Sequence, residues 1–121
     1  MRNPMSGDDA RSGHITLEEA AARLPTPDGK RSVALFEHGS LQVKLYAPRG
    51  VDTQTPHTRD EIYVVARGEG WFVHADLKCR FTAQDVLFAA AGFVHRFEAF
   101  SDDLLVWVFF YGPEGGENVE P

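Results

Sequence analysis

Two stretches of the chain carry residues able to do chemistry. In QTPHTRDEIYVVARGEG (54–70), His57 precedes Glu61 with three residues between them. In AQDVLFAAAGFVHRFEAF (83–100), His95 follows Gly92 and opens a run of apolar residues. Side chains two and four apart along an extended chain share a face. Thr55, His57, Arg59, Glu61, Tyr63 and Val65 therefore fall on one side if the segment is extended throughout, and Asp60 and Ile62 on the other. A histidine and a carboxylate among apolar neighbours are costly to bury unless an ion or a hydrogen-bond network satisfies them. Two imidazoles and one carboxylate form the ligand set that holds a transition metal and leaves positions open. Taken alone, His57 with Glu61 reads equally well as an exposed ion pair, and periodicity does not bring residue 95 to residue 57.

The elements that must position these residues are strands. Eight short runs, 32–39, 41–48, 60–68, 70–77, 78–83, 85–91, 95–100 and 104–112, are rich in β-branched and aromatic residues and bounded by turn residues. Eight such runs, with no helical pattern between them, indicate an all-β sandwich or small barrel. One helix is expected before them, over 16–24 in TLEEAAARL. Thr16 and Glu19 stand at capping-box spacing, Leu17, Ala20, Ala21 and Leu24 make one apolar stripe, and Pro25 stops the helix. Residues 1–13 read as a flexible leader, 14–112 as a single domain, and the Gly- and Glu-rich 113–121 as a flexible acidic tail. The final strand, LLVWVFFYG, is apolar on both faces, which a strand covered by a second copy of the chain would show; a homodimer is expected.

Composition narrows the partners. Twelve basic against 18 acidic residues leave a net charge of −6, with no basic cluster longer than Lys30-Arg31. Neither nucleic acid nor an anionic membrane surface fits that balance. The expected partner is a small-molecule substrate or ligand. The single cysteine, Cys79, allows no internal disulfide, residues 1–14 lack the apolar core of a signal peptide, and no run approaches the ~18 apolar residues of a membrane span. A cytoplasmic location is expected.

The two stretches resemble the paired motifs of the cupin superfamily. The first motif runs glycine, five residues, His-x-His, three or four residues, glutamate, six residues, glycine; here His57, Glu61 and Gly68 keep their places, while Thr55 stands where the first histidine belongs and Arg49 where the first glycine belongs. The second runs glycine, five residues, Pro-x-Gly, two residues, histidine; Gly92 and His95 keep their places, and Gln84 and Ala90 replace the glycine and the proline. Fifteen residues separate Gly68 from Gln84, which suits small single-domain cupins. The resemblance spans residues 32–112 and implies a double-stranded β-helix, or jelly-roll barrel, with a metal inside.

By position, the resemblance makes His57, Glu61 and His95 ligands of a divalent transition metal, with Fe, Mn, Zn, Ni and Cu all compatible. Thr55, Gln54, Tyr63 and Phe93 are candidates for the pocket around it, and Asp60 is expected beside the site rather than in it. His74, His38, His14 and Cys79 have no motif partner and read as structural or surface residues. The implied function is metal-dependent chemistry on a small organic molecule, of dioxygenase or isomerase type. No residue stands out as a general base, which favours metal-centred oxidation. The alternative is a non-catalytic ligand-binding or dimerisation module whose metal site is degenerate, as the threonine at position 55 suggests.

Overall fold

The computed structural model describes residues 13–119, so most of the expected leader lies outside the described residues. After one short helix come eight strands: β1 (Ser32–His38), β2 (Leu41–Tyr46), β3 (Asp60–Arg67), β4 (Gly70–His74), β5 (Leu77–Phe81), β6 (Val86–Ala89), β7 (His95–Glu98) and β8 (Leu105–Tyr111). They form two antiparallel sheets, β1-β2-β8-β3-β6 and β5-β4-β7. This is the all-β architecture expected from the strand pattern, in the jelly-roll form that the resemblance implies. Among the described residues no helix is long and apolar enough to cross a membrane.

The main core lies between the sheets. Tyr63 and Val65 of β3 and Val106 and Val108 of β8 meet Phe72, Phe81 and Phe97 of the three-stranded sheet, all buried. A second cluster lies on the other side of the five-stranded sheet, where Ala20 of the helix packs with Leu35, Leu45, Ala47 and Leu105, and Trp107 closes the edge. Both apolar faces of β8 are thereby used within one chain. Val106 and Val108 enter the main core, whereas Leu105 and Trp107 lie under the N-terminal helix. Helix and strand cover the face for which the sequence suggested a second subunit.

That helix, α1 (Leu17–Ala21), is shorter than the 16–24 expected. Its capping box forms: the Thr16 hydroxyl accepts from the Glu19 amide at 3.0 Å and the Glu19 carboxylate from the Thr16 amide at 2.9 Å. Arg23 and Leu24 then donate to the carbonyls three residues back, which tightens the last turn before Pro25. Part of the acidic tail lies among the described residues. The Gly115 amide donates to the Thr58 carbonyl at 2.6 Å and the Glu117 amide to Asp60 at 2.9 Å, so this stretch is tied to the loop before β3.

Two motif positions have a steric meaning here. Gly68, at φ +100°, turns the chain from β3 towards β4 against the β7–β8 connection; a Cβ there would stand 2.8 Å from both the Leu104 Cα and the Ser101 Oγ. Gln84, where the resembled motif has glycine, is held at φ +79°, a conformation that L side chains adopt at a cost of about 1–2 kcal/mol. We expect Gly68→Ala to lower stability by about 2–4 kcal/mol from overpacking plus backbone strain. Gln84→Gly should raise it by about 0.5–1 kcal/mol, the relieved strain less the greater freedom of glycine in the unfolded chain. Urea midpoints of the two variants against the parent check both signs.

Candidate metal centre

The centre is assembled from one loop and two strands. Glu61 sits on β3 and points inward between the sheets, 1% exposed. His95 begins β7 on the opposite sheet and is 2% exposed. His57 belongs to the loop that leads into β3 and is half-buried. The structure brings these three together: one potential ligand atom from each lies within 4.8 Å of the others. Glu61 Oε1 is 2.8 Å from His95 Nε2 and 3.3 Å from His57 Nδ1. Neighbouring donors around a shared ion at ~2.1 Å stand about 3 Å apart, so the spacing fits an ion between them.

The donor atoms themselves are unsatisfied. His57 Nδ1, both Glu61 carboxylate oxygens and His95 Nε2 are buried and complete no hydrogen bond among the described residues. Leaving an ionised carboxylate in that state is among the costliest arrangements in a protein interior. His95 is already oriented: its Nδ1 lies 3.0 Å from the Phe93 carbonyl. Assigning the ring proton to that contact leaves the Nε2 lone pair facing Glu61, the arrangement that a metal-bound imidazole requires. Burial is the main influence on His57 and lowers its pKa, reinforced by His95 and Lys44 against the pull of Glu61. Burial also acts to lower His95, but the Glu61 carboxylate and the Phe93 carbonyl outweigh it and hold that imidazole above its ordinary value. A proton on His95 and a bound cation thus compete to balance the same carboxylate, and only a cation also meets His57 Nδ1.

A cavity of about 250 Å³ opens beside His57 and Glu61. Gln54 and Tyr63 line it, together with Lys44, Tyr46 and Thr53. Val108 and Phe110 give it an apolar wall, and the His57 ring lies 5.1 Å from that of Phe110. Tyr63 is 1% exposed, and its hydroxyl makes a long 3.4 Å bond to Gln54. Burial, then the charges of Glu61 and Asp52, push the Tyr63 phenol well above its usual range, so it stays protonated.

Two expected pocket residues are elsewhere. Thr55 is exposed and does not border the cavity. Residues 52–57 form a loop without regular structure, so the strand parity that put Thr55 beside His57 does not apply. The Phe93 side chain is 50% exposed and rests 5.5 Å from the His74 ring; its carbonyl, not its ring, serves the site. Asp60 is buried with its oxygens accepting from the Ala91 and Glu117 amides, so it braces the surrounding loops. Gly92 adds a third tie, its amide donating to the His57 carbonyl at 2.8 Å.

Sequence reasoning missed Asp52. Its buried carboxylate accepts from the Tyr46 hydroxyl, the Gln54 side-chain amide and the Phe97 amide of β7, stitching the His57 loop to both sheets. In the sequence it looks like any turn aspartate. Lys44 and Tyr46 were equally hidden, because the alternation in LQVKLY does not say which face turns inward.

No protein-family sequence model matches the chain. Over 100 residues, 81% of this chain and 94% of the other, it is 33% identical to the uncharacterised protein SCO3923 of Streptomyces coelicolor. Among solved structures, a Bacillus halodurans protein superposes with a TM-score of 0.68 at 15% identity, covering 93% of this chain and 90% of its own. A cupin superfamily protein of Desulfitobacterium hafniense superposes with a TM-score of 0.56 at 19% identity, covering 66% and 74%. At those identities the structural likeness is one of fold. Matched to the Streptomyces protein over nearly all of that protein's length, the chain belongs to that protein's family, and it shares the fold of a solved cupin.

Proposed function

We propose that the protein is a metal-dependent enzyme that acts on a small organic molecule beside His57, Glu61 and His95. The observation that carries this reading is the set of four buried donor atoms, from three residues, with no hydrogen-bond partner and a common focus. One carboxylate and two imidazoles suit Fe, Mn, Zn, Ni or Cu, and three protein ligands leave coordination positions open. When bound, such an ion supplies Lewis acidity or a platform for redox chemistry.

The chain's own residues have separable tasks. Glu61 contributes the charge, and the Phe93 carbonyl holds the His95 ring in its ligating orientation. Tyr63, kept protonated by burial, is a hydrogen-bond donor and not a base. Asp52 is occupied by several donors and stands aside from proton transfer. Phe110 and Val108 keep one wall of the cavity dry for an apolar substrate body. With no free base among these groups, oxidation of dioxygenase type is favoured over proton-shuttling isomerisation. A non-catalytic module is the second reading, supported by Thr55, which stands in a motif ligand's place and faces solvent.

Elemental analysis of untagged protein should find close to one transition-metal ion per chain. His57→Ala, Glu61→Ala and His95→Ala should each weaken retention at least tenfold, since each removes one of three ligands. A folded parent that takes up none of the five metals, even after anaerobic loading, would overturn the proposal. Oxygen uptake that depends on both metal and an added organic substrate separates the enzyme from the binding module.

A homodimer is the second part of the proposal, on a different surface from the one the sequence suggested. Val86 and Phe88 on the edge strand β6 are 66% and 50% exposed and pair in register with Val64 and Ile62. Cross-strand partners share a face, so the four make an apolar patch that a second copy would cover. Light scattering should give a dimer for the parent and a monomer for Val86→Ser/Phe88→Ser; identical masses would remove β6 from the interface.

A further inference from the structure

Strand β2 is inverted relative to an ordinary barrel strand. Its apolar residues Val43 and Leu45 are buried, and Leu45 packs in the cluster under the helix, outside the barrel. Its polar residues Lys44 and Tyr46 therefore turn into the cavity beside the metal centre, where both are lining residues. In register, Lys44 lies opposite Val108, which lies opposite Tyr63. Lys44 and Tyr63 are thus two strands apart on one row, with about 10 Å between their backbones.

A lysine in such a place needs a counter-charge, and none is provided. Lys44 is half-buried and forms no ion pair among the described residues. The carboxylates on this side of the barrel are already used: Asp52 accepts from Tyr46, Gln54 and Phe97, and Glu61 faces the two histidines. Arg59 repeats the pattern at the outer rim, where it borders an adjoining cavity with Lys44 and His57. Its Nε and Nη2 are buried without a partner, and the nearby Glu114 makes no ion pair with either cation. A chain of net charge −6 has therefore placed two cations without an ion pair along two adjoining cavities, Lys44 bordering both and Arg59 the second. Converging fields of one sign raise the local concentration of the opposite charge.

We propose that the cavity selects a small organic monocarboxylate with a compact apolar body. The Lys44 ammonium pairs with its carboxylate, Val108 and Phe110 hold its apolar part, and Arg59 draws the anion in from the rim. This rests on the metal-dependent reading only for what happens next; the charge selection belongs to the chain alone.

Benzoate and its neutral analogue benzamide separate charge from shape. Isothermal titration with metal-free and Ni(II)-loaded protein should show benzoate binding at least tenfold more tightly than benzamide in both forms. Lys44→Met should lose roughly tenfold for benzoate and little for benzamide, at unchanged metal content and melting temperature. Lys44→Arg, which keeps the charge, should recover most of the affinity, and Lys44→Gln replaces Lys44→Met if the latter does not fold. Equal affinity for the two probes, no benzoate binding, or benzoate binding indifferent to Lys44→Met would each overturn the proposal. Failure to take up Ni(II) with benzoate selection intact would count against the metal-dependent reading and leave the anion pocket standing.

Discussion

Much of this molecule is arranged around one buried carboxylate. Glu61 is 1% exposed, inward-facing on β3, and no described residue donates a hydrogen bond to it. An ionised group so placed costs several kcal/mol unless a cation or proton meets it. The surrounding structure limits the remedies. Tyr63, two residues further along the strand, gives its hydroxyl to Gln54, and Val108 and Phe110 make one wall of the cavity apolar. The two histidines both present nitrogen to the same oxygen. The barrel thus concentrates its electrostatic strain at the point where three separate segments meet.

Holding those segments in place falls to residues that never touch the centre. His57 comes from a loop with no regular structure, which by itself would sample many positions. Asp52 anchors that loop to β2 and β7 through Tyr46 and Phe97, and the Gly92 amide anchors it to the turn before β7 through the His57 carbonyl. Asp60 joins the same turn to the tail. Two buried aspartates with well-satisfied oxygens therefore support one buried glutamate with none. The contrast is physically sensible: fully paired polar groups rigidify a site, while an unpaired one is free to take a ligand.

What was legible in the sequence follows the strength of local patterns. All eight strands were visible because period-two alternation and glycine or aspartate turns recur at short intervals. His57, Glu61 and His95 were visible as a set only through the spacing of two motifs, since no local rule links residues so far apart in the chain. Thr55 holds a motif position but lies on a loop, where strand parity with Glu61 has no meaning. Phe93 was placed by residue type in the wrong role, since it serves through its carbonyl and a carbonyl leaves no trace in residue identity. Asp52 left no signal, because its partners come from β2 and β7 and only the fold brings them together. The double-faced apolarity of β8 was real but ambiguous: a strand under its own helix and a strand under a second subunit have the same composition.

Strand β2 shows how far such ambiguity reaches into function. Alternating LQVKLY is a pattern that a half-exposed strand shares with one whose polar side faces a cavity. The helix decides between them. With Ala20 on the outer face of the sheet, Leu45 finds its apolar partners outside the barrel, and β2 can turn Lys44 and Tyr46 inward without forfeiting burial. A short capped helix that touches none of His57, Glu61 and His95 thereby determines the polarity of the cavity beside them. Loss of that helix would expose Leu35, Leu45 and Leu105 and remove the advantage that keeps β2 in this orientation. The second hydrophobic cluster is therefore as much a part of the site as the first.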